Sequence, residues 1–216
     1  MRTWLICVLF ALASAQVVHA ADIQGYPADV RAYDPREVAM LPEYCRYTQN
    51  FRDHLPGANN AAAIQRWSAT LGQIFEAMHH WCWGLMKSNR ALFLARDNRT
   101  KTFYLRDSID EFDYVILRAP RDFILLPEML TKKGENLLRL GNGPVGAAAL
   151  EMAIELKADY FPAYAALSDY HKEKGDVATA RKILEKGIAL APEARALRRR
   201  MDALPAASSA DAARGR

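Results

Sequence analysis

Apolar residues from Ala61 onward recur mostly at three- and four-residue steps, which is the spacing of a helix with one buried face. Segment 64–95 predicts one long helix, or two helices broken near Gly72. No run alternates between apolar and polar residues for long enough to predict a strand. Further helices are predicted at about 101–118, 123–140, 145–157, 162–174, 177–190 and 193–203. The pattern therefore predicts an all-α fold.

The preceding residues, 21–60, have a different pattern, rich in Pro, Tyr and Asp, which predicts an irregular segment with short helices. Asp34 followed by Pro35 predicts a helix start. Pro42 predicts a second start, which would place Cys45 in the first turn of a helix of about twelve residues.

Residues 1–20 have the pattern of a secretory signal peptide. An early arginine precedes an apolar run, Trp4–Ala15, and Val18 and Ala20 occupy the −3 and −1 places of a cleavage site. The apolar run is shorter than the ~20 residues that a spanning helix needs. We therefore expect cleavage after Ala20, a periplasmic or secreted protein, and no integral membrane span after cleavage. An uncleaved membrane anchor is the alternative.

Export would also decide the state of the cysteines. Cys7 would leave with the signal peptide, and Cys45 and Cys82 would remain in an oxidising compartment. An even pair of thiols there predicts a disulfide. The prediction is geometric as well, because the two Cα atoms must then lie within about 7 Å of each other.

Composition and charge narrow the function classes. The chain has 216 residues and 51% hydrophobic content, enough to bury a core without a metal, and we expect no cofactor. Removing Arg2 with the signal lowers the formal net charge from +4 to +3, which is mild. A late basic cluster lacks interleaved aromatic residues, so we expect no nucleic-acid partner and interpret it as a solvated helix face, with anionic lipid or polysaccharide contact as the alternative. Its members are Arg195, Arg198, Arg199 and Arg200.

The C-terminal helices repeat with a period of 34 residues. A fixed period of this length is typical of stacked helical hairpins, each of which cannot bury its apolar face alone. The matching pairs are Gly141 and Gly175, Leu150 and Leu184, Ala153 and Gly187, and Ile154 and Ile188.

The second copy, residues 161–192, has a residue suited to each place in such a hairpin. Tyr164 and Leu167 anchor the first helix. Gly175 suits a left-handed turn at its end, and Asp176 can cap the second helix. The positions that then pack or end the hairpin are Ala180, Leu184, Ile188 and Pro192.

These positions define the tetratricopeptide repeat, which the stretch closely resembles. The preceding unit, residues 127–160, resembles the repeat less well, because Ala158 stands where proline is usual. A third, weaker unit would lie in the helices at 76–95 and 102–118, but an insertion interrupts its spacing. Residues 193–203 resemble the capping helix that shields the last apolar face of an array.

The resemblance divides the chain into regions. Residues 61–122 form a helical region with at most a degenerate repeat, and residues 123–204 hold the tetratricopeptide-like repeats and the capping helix. Residues 205–216, PAASSADAARGR, are small and polar, and we expect them to be disordered. The implied architecture is a short solenoid of stacked antiparallel helical hairpins.

Tetratricopeptide arrays hold a peptide, a helix or a neighbouring subunit on a concave face lined by the first helix of each hairpin. In this chain the residues of that face carry charges of both signs, which favours a polar protein partner whose binding weakens as salt increases. A subgroup that clamps C-terminal carboxylates has asparagines where Glu135 and Asp169 stand, so no such clamp is implied. A solvated helix face is the alternative for each position. The groove residues that the resemblance implies are Glu128, Thr131, Lys132, Glu135, Leu138, Arg139, Ala165, Asp169, Lys172 and Glu173.

Residues 78–84, MHHWCWG, concentrate side chains that bind metals or carry redox chemistry. His79 and Cys82 are three residues apart on one predicted helix, so they could share a zinc or copper ion with Cys45 or His54. A disulfide between the two cysteines, with the tryptophans in the core, is the interpretation that we favour. The sequence holds no HExxH, GxSxG, phosphate-loop or CxxC motif.

These patterns lead us to expect a scaffold or adaptor and not an enzyme. It would act on proteins of the bacterial envelope, in secretion, pilus or exopolysaccharide assembly, and would have no small-molecule substrate. The alternative is a periplasmic metal- or thiol-dependent enzyme or redox protein centred on Cys45, His79 and Cys82. A third possibility is a permanent subunit of a larger complex.

Overall fold

Helices follow one another along almost the whole of residues 33–205, the part of the chain that the computed structural model describes. No residue in that range lies in a strand, so the all-α prediction is confirmed. None of its helices is long and apolar enough to cross a membrane. The predicted signal peptide and the predicted disordered residues from 206 onward lie outside the described residues.

The N-terminal segment folds into three short helices, and Cys45 lies in the first turn of one that has five residues, not about twelve. Asp34 accepts a 2.8 Å hydrogen bond from the N–H of Arg36 and so caps the first of them. The predicted length of about twelve residues is wrong, because the helix ends at Tyr47, Thr48 is extended with ψ 159°, and Asn50 has φ 66°, which a right-handed helix does not accommodate. The three helices are α1 (Pro35–Val38), a 3₁₀ helix (Glu43–Tyr47) and α2 (Phe51–His54).

The middle of the chain forms a helix pair. The predicted break occurs at Gly72, which has φ 63° and begins a 3₁₀ turn. Gly84 lets the helix that contains it approach the helix that contains Phe112 closely, since a Cβ on Gly84 would lie 2.5 Å from the Phe112 ring. The elements are α3 (Ala61–Leu71), a 3₁₀ helix (Gly72–Ala77), α4 (Met78–Asn89), a π turn (Arg90–Leu94) and α5 (Asn98–Ile116).

Two further hairpins and a last helix complete the described chain, and the turns of the two hairpins have the same geometry. In the first turn Gly141 has φ 79°, and the N–H groups of Gly141 and Asn142 donate to carbonyls of the preceding helix, each at 2.9 Å. Gly175 and Asp176 repeat this arrangement 34 residues later with the same angle and distances. This is the Schellman motif, in which glycine accommodates the positive φ. The helices are α6 (Leu126–Arg139), α7 (Gly143–Leu156), α8 (Phe161–Glu173), α9 (Val177–Leu190) and α10 (Arg195–Asp202).

Helices from α4 to α9 each pack against the next, α8 also packs against α6, and α10 packs against α8 and α9. Buried side chains form two clusters. The larger cluster joins the N-terminal segment to α3–α6 around Trp81 and Phe112, and it extends to Ala153 of α7 and Ala163 of α8. The smaller one joins α8, α9 and α10 around Tyr164, Leu184 and Leu197. The last helix therefore covers an apolar surface that would otherwise meet water.

Candidate partner-binding groove

An open groove of about 460 Å³ lies where α6, α8 and α10 meet. The groove is formed by the first helix of each C-terminal hairpin together with the last helix of the described chain. Its lining residues are Glu135, Leu138, Arg139, Phe161, Pro162, Ala165, Ala166, Asp169, Tyr170, Glu173, Ala196 and Arg200.

Six of the ten predicted groove residues line this surface: Glu135, Leu138, Arg139, Ala165, Asp169 and Glu173. Thr131 does not, because it is 2% exposed and its hydroxyl donates to the carbonyl of Pro127 at 2.8 Å. Lys132 lies beside the groove and donates to Glu135 at 3.3 Å. Lys172 instead lines a smaller neighbouring cavity of about 120 Å³.

The remaining predicted residue, Glu128, is half-buried and does not line the groove. Burial raises the pKa of its carboxyl above the ordinary value, and the charge of Lys132 opposes that rise only in part. Burial also raises the pKa values of Tyr44 and Tyr160, and the negative charge of Glu128 adds to both. Glu128 therefore acts electrostatically on phenols of neighbouring elements.

The groove combines an apolar lining with partly exposed ion pairs. Small and apolar side chains from α6 and α8 include Phe161, which is 38% exposed. The Nε atom of Arg200 lies 2.9 Å from a carboxylate oxygen of Asp169, and Glu135 lies 3.6 Å from Arg139. Surface ion pairs of this kind contribute only about 0–1 kcal/mol. They can therefore be exchanged at little cost for charges on a bound polypeptide.

The sequence pattern did not predict that Arg200 and Phe161 line the groove. Arg200 was grouped with the solvated arginines of the last helix, but it crosses to Asp169, 31 residues earlier in the chain. A local signal exists, because Arg200 follows Ala196 by four residues and Leu197 by three, which places it near the buried face of that helix. Phe161 precedes a proline at the start of α8 and carries no comparable signal.

The two cysteines of the described chain are joined as predicted. Their sulfur atoms are 2.06 Å apart and their Cα atoms 5.7 Å apart, so the expected pairing of Cys45 with Cys82 is confirmed. Both residues are fully buried. Beside them the Nε1 atom of Trp81 donates to the hydroxyl of Tyr44 at 2.9 Å. The disulfide and this hydrogen bond both attach the N-terminal segment to α4.

The four candidate metal ligands, Cys45, His54, His79 and Cys82, do not come together as a metal-binding set within the described residues. Both sulfurs are used by the disulfide, so no thiolate is left to join His79 or His54. The Nδ1 atom of His54 lies 2.7 Å from the carbonyl of Asn50. Within residues 33–205 no group of three or more His, Cys, Asp or Glu side chains is placed to hold a metal ion.

The two histidines of MHHWCWG have separate structural partners. His79 is buried, with Nδ1 3.0 Å from the carbonyl of Glu76, and burial followed by the charge of His80 lowers its pKa to about 4. His80 lies 2.5 Å from Glu111, which also receives a 2.7 Å hydrogen bond from Lys87. Burial disfavours the Glu111 carboxylate, but these two partners hold its pKa below the ordinary value. The cluster is an ion network that ties α4 to α5.

Comparison with known proteins finds no match to this chain among protein-family models, curated proteins or solved structures. The groove and the disulfide are therefore the features that support a functional interpretation.

Proposed function

We propose that this protein is an exported tetratricopeptide-type scaffold or adaptor that binds a protein partner in the bacterial envelope, within a secretion, pilus or exopolysaccharide assembly. The observation that supports the proposal is the groove between α6, α8 and α10. Six of the ten residues that the tetratricopeptide resemblance implies as groove-lining meet in this one surface.

The lining of the groove indicates the chemistry of the partner. An apolar side chain of a bound segment would pack against Phe161 and Leu138, and its charged neighbours would take the places of the groove's own ion pairs. Asp169 and Arg200 form an ion pair that a bound segment can replace, so the segment would carry a positive charge for Asp169 and a negative charge for Arg200. Binding of this kind weakens as salt increases.

The disulfide supports export. A buried cystine is compatible with an oxidising compartment and uncommon in reducing ones. The metal- or thiol-dependent enzyme centred on Cys45, His79 and Cys82 gains no support, because that hypothesis needs a free thiolate. A permanent subunit of a larger complex would differ from an adaptor by stable, stoichiometric co-purification with its partners.

The proposal is tested by cross-linking in intact envelopes followed by affinity isolation. Ala166→Arg places a long cation in the groove, and Ala148→Arg places the same side chain on the exposed surface of α7 as a matched control. We expect the wild type and the α7 variant to recover the same protein, and the groove variant to lose it while keeping its helical circular dichroism. The proposal would be contradicted if the wild type were isolated without any partner. It would also be contradicted if the two variants recovered the partner equally.

A further inference from the structure

Three consecutive apolar side chains face solvent in the turn between α4 and α5. Leu92 is 41% exposed, Phe93 68% and Leu94 55%. Exposed apolar runs of this length are rare in water-soluble domains unless they have a function, since they favour association. The run therefore marks a surface that meets something other than water.

The backbone holds these residues outward at a fixed turn. α4 ends in a π turn, in which the N–H of Ala95 donates to the carbonyl of Arg90 at 2.9 Å. Arg90 is itself 3% exposed and donates to both carboxylate oxygens of Glu37, at 2.5 and 2.8 Å. On the other side, Asp97 caps α5 by accepting a 2.8 Å hydrogen bond from the N–H of Thr100. Both ends of the turn are thus anchored.

Basic side chains follow the apolar run immediately. Arg96, Arg99 and Lys101 are exposed, and the one carboxylate within residues 92–101 is Asp97, whose oxygens are engaged in capping α5. Hydrogen bonds from the backbone and side chain of Thr100 lower the pKa of that carboxyl, so it stays ionised and offsets one of the three cations. An apolar tip next to a net positive charge is the pattern of a surface that enters the interface of an anionic bilayer.

We propose that residues 92–101 form a membrane-docking tip. Leu92, Phe93 and Leu94 enter the boundary between headgroups and acyl chains of a bilayer that contains anionic lipid, and the basic residues bind its phosphates. A symmetric contact with a second copy fits less well, because it would bring the same cations together. This site is separate from the groove and does not depend on the proposed scaffold function.

Vesicle flotation tests the tip. The chain from residue 21 onward is suitable, because residues 33–205 belong to one compact unit and the apolar signal would bind lipid by itself. Vesicles of phosphatidylcholine are compared with vesicles containing roughly one third phosphatidylglycerol. We expect the wild type to float with the anionic vesicles and the double variant Leu92→Ser, Phe93→Ser to bind roughly tenfold more weakly.

Two further sets of variants separate the apolar and basic contributions. The control variant is Leu117→Ser with Ile124→Ser. These two apolar side chains lie beyond the opposite end of α5 and are 82% and 72% exposed. The control should bind vesicles as the wild type does. Arg96→Glu with Arg99→Glu should abolish the preference for phosphatidylglycerol. Phe93→Trp should show a blue-shifted emission that brominated acyl chains quench.

Several outcomes would overturn the proposal. They are a wild type that does not float, a tip variant that floats like the wild type, or a control variant that loses binding equally. A tip variant whose oligomeric state changes without lipid would make the tip an interface between copies instead. Capture of an acidic protein through the tip, without vesicle binding, would likewise contradict it.

Discussion

Glycine at the two hairpin turns is required by backbone conformation, not by lack of space. Gly141 and Gly175 both have φ 79°, and nothing lies within 4 Å of the place where a Cβ would stand. A side chain there would therefore cause strain in the left-handed region without a clash.

Substitution of Gly175 tests this account of the turn. Gly175→Ala should lower the free energy of unfolding by about 1 kcal/mol, and Gly175→Asn should cost less, because asparagine tolerates the left-handed conformation better. Urea unfolding of the two variants and the wild type measures both values. Equal losses for alanine and asparagine, or no loss for either, would show that the turn does not hold this conformation in solution.

Buried His79 makes stability depend on pH in a definite direction. Its pKa is lowered from 6.5 to about 4, so between these values the unfolded chain binds a proton that the folded chain does not. Stability is therefore retained above pH 6.5 and lost as the pH falls toward 4, by an amount on the order of 3 kcal/mol.

Denaturant unfolding at a series of pH values from 7 to about 4 measures this loss. His79→Gln keeps a hydrogen-bond donor for the carbonyl of Glu76 and should remove most of the acid dependence. His54→Gln, which removes an exposed histidine, is the control. If the wild type and His79→Gln lose stability equally on acidification, the dependence arises elsewhere.

At the scale of elements, the disulfide connects the N-terminal segment to α4 across 37 residues of chain. The double variant Cys45→Ala, Cys82→Ala should be less stable by about 3 to 4 kcal/mol, because its unfolded chain is no longer restricted. Urea unfolding measures the loss, and limited proteolysis should cleave residues 33–60 first.

Reductant provides the control for that prediction. It should lower the unfolding midpoint of the wild type and leave the double variant unchanged. A wild type that is indifferent to reduction under unfolding conditions would contradict a stabilising role for the bond.

The elements themselves were largely predictable, because a helix with one buried face imposes its spacing on the sequence. The predicted helices at 162–174 and 177–190 lie within one residue of α8 and α9 at each end. The error around Cys45 concerned where the helix ends: Pro42 predicts its start, but no residue type in the sequence predicts the extended Thr48 and the positive φ of Asn50 that follow Tyr47.

The groove was predictable only in the part that follows from register. Glu135 and Asp169 are one repeat apart, so equivalent positions on the two first helices meet on one surface. Arg200 reaches that surface from a helix outside the repeat, across 31 residues, so register in the repeat could not predict it. Its spacing from Ala196 and Leu197 indicates only that it lies near the buried face of α10. Thr131 was wrongly included because register alone does not distinguish the groove side from the buried side of α6.

At the scale of the whole molecule, the two apolar clusters predict two regions of different stability. Leu197 of α10 is fully buried in the cluster of α8 and α9. Leu197→Ala should cost about 2–5 kcal/mol and increase hydrogen exchange in α8, α9 and α10 more than in α4 and α5.

Hydrogen exchange followed by mass spectrometry resolves these regions. Met86→Ala, in the other cluster, is the matched control and should increase exchange in α4 and α5 first. A uniform increase along the described chain for both variants would mean that the two clusters unfold as one.

We propose that the groove between α6, α8 and α10 holds a protein partner. Site-specific photo-cross-linking in intact envelopes tests it most directly, with the photoreactive residue at Phe161 in the groove or at Met152, which is 48% exposed on α7. We predict that position 161 forms an adduct with a discrete envelope protein and that position 152 does not. Equal adducts from both positions, or none from position 161, would contradict the account.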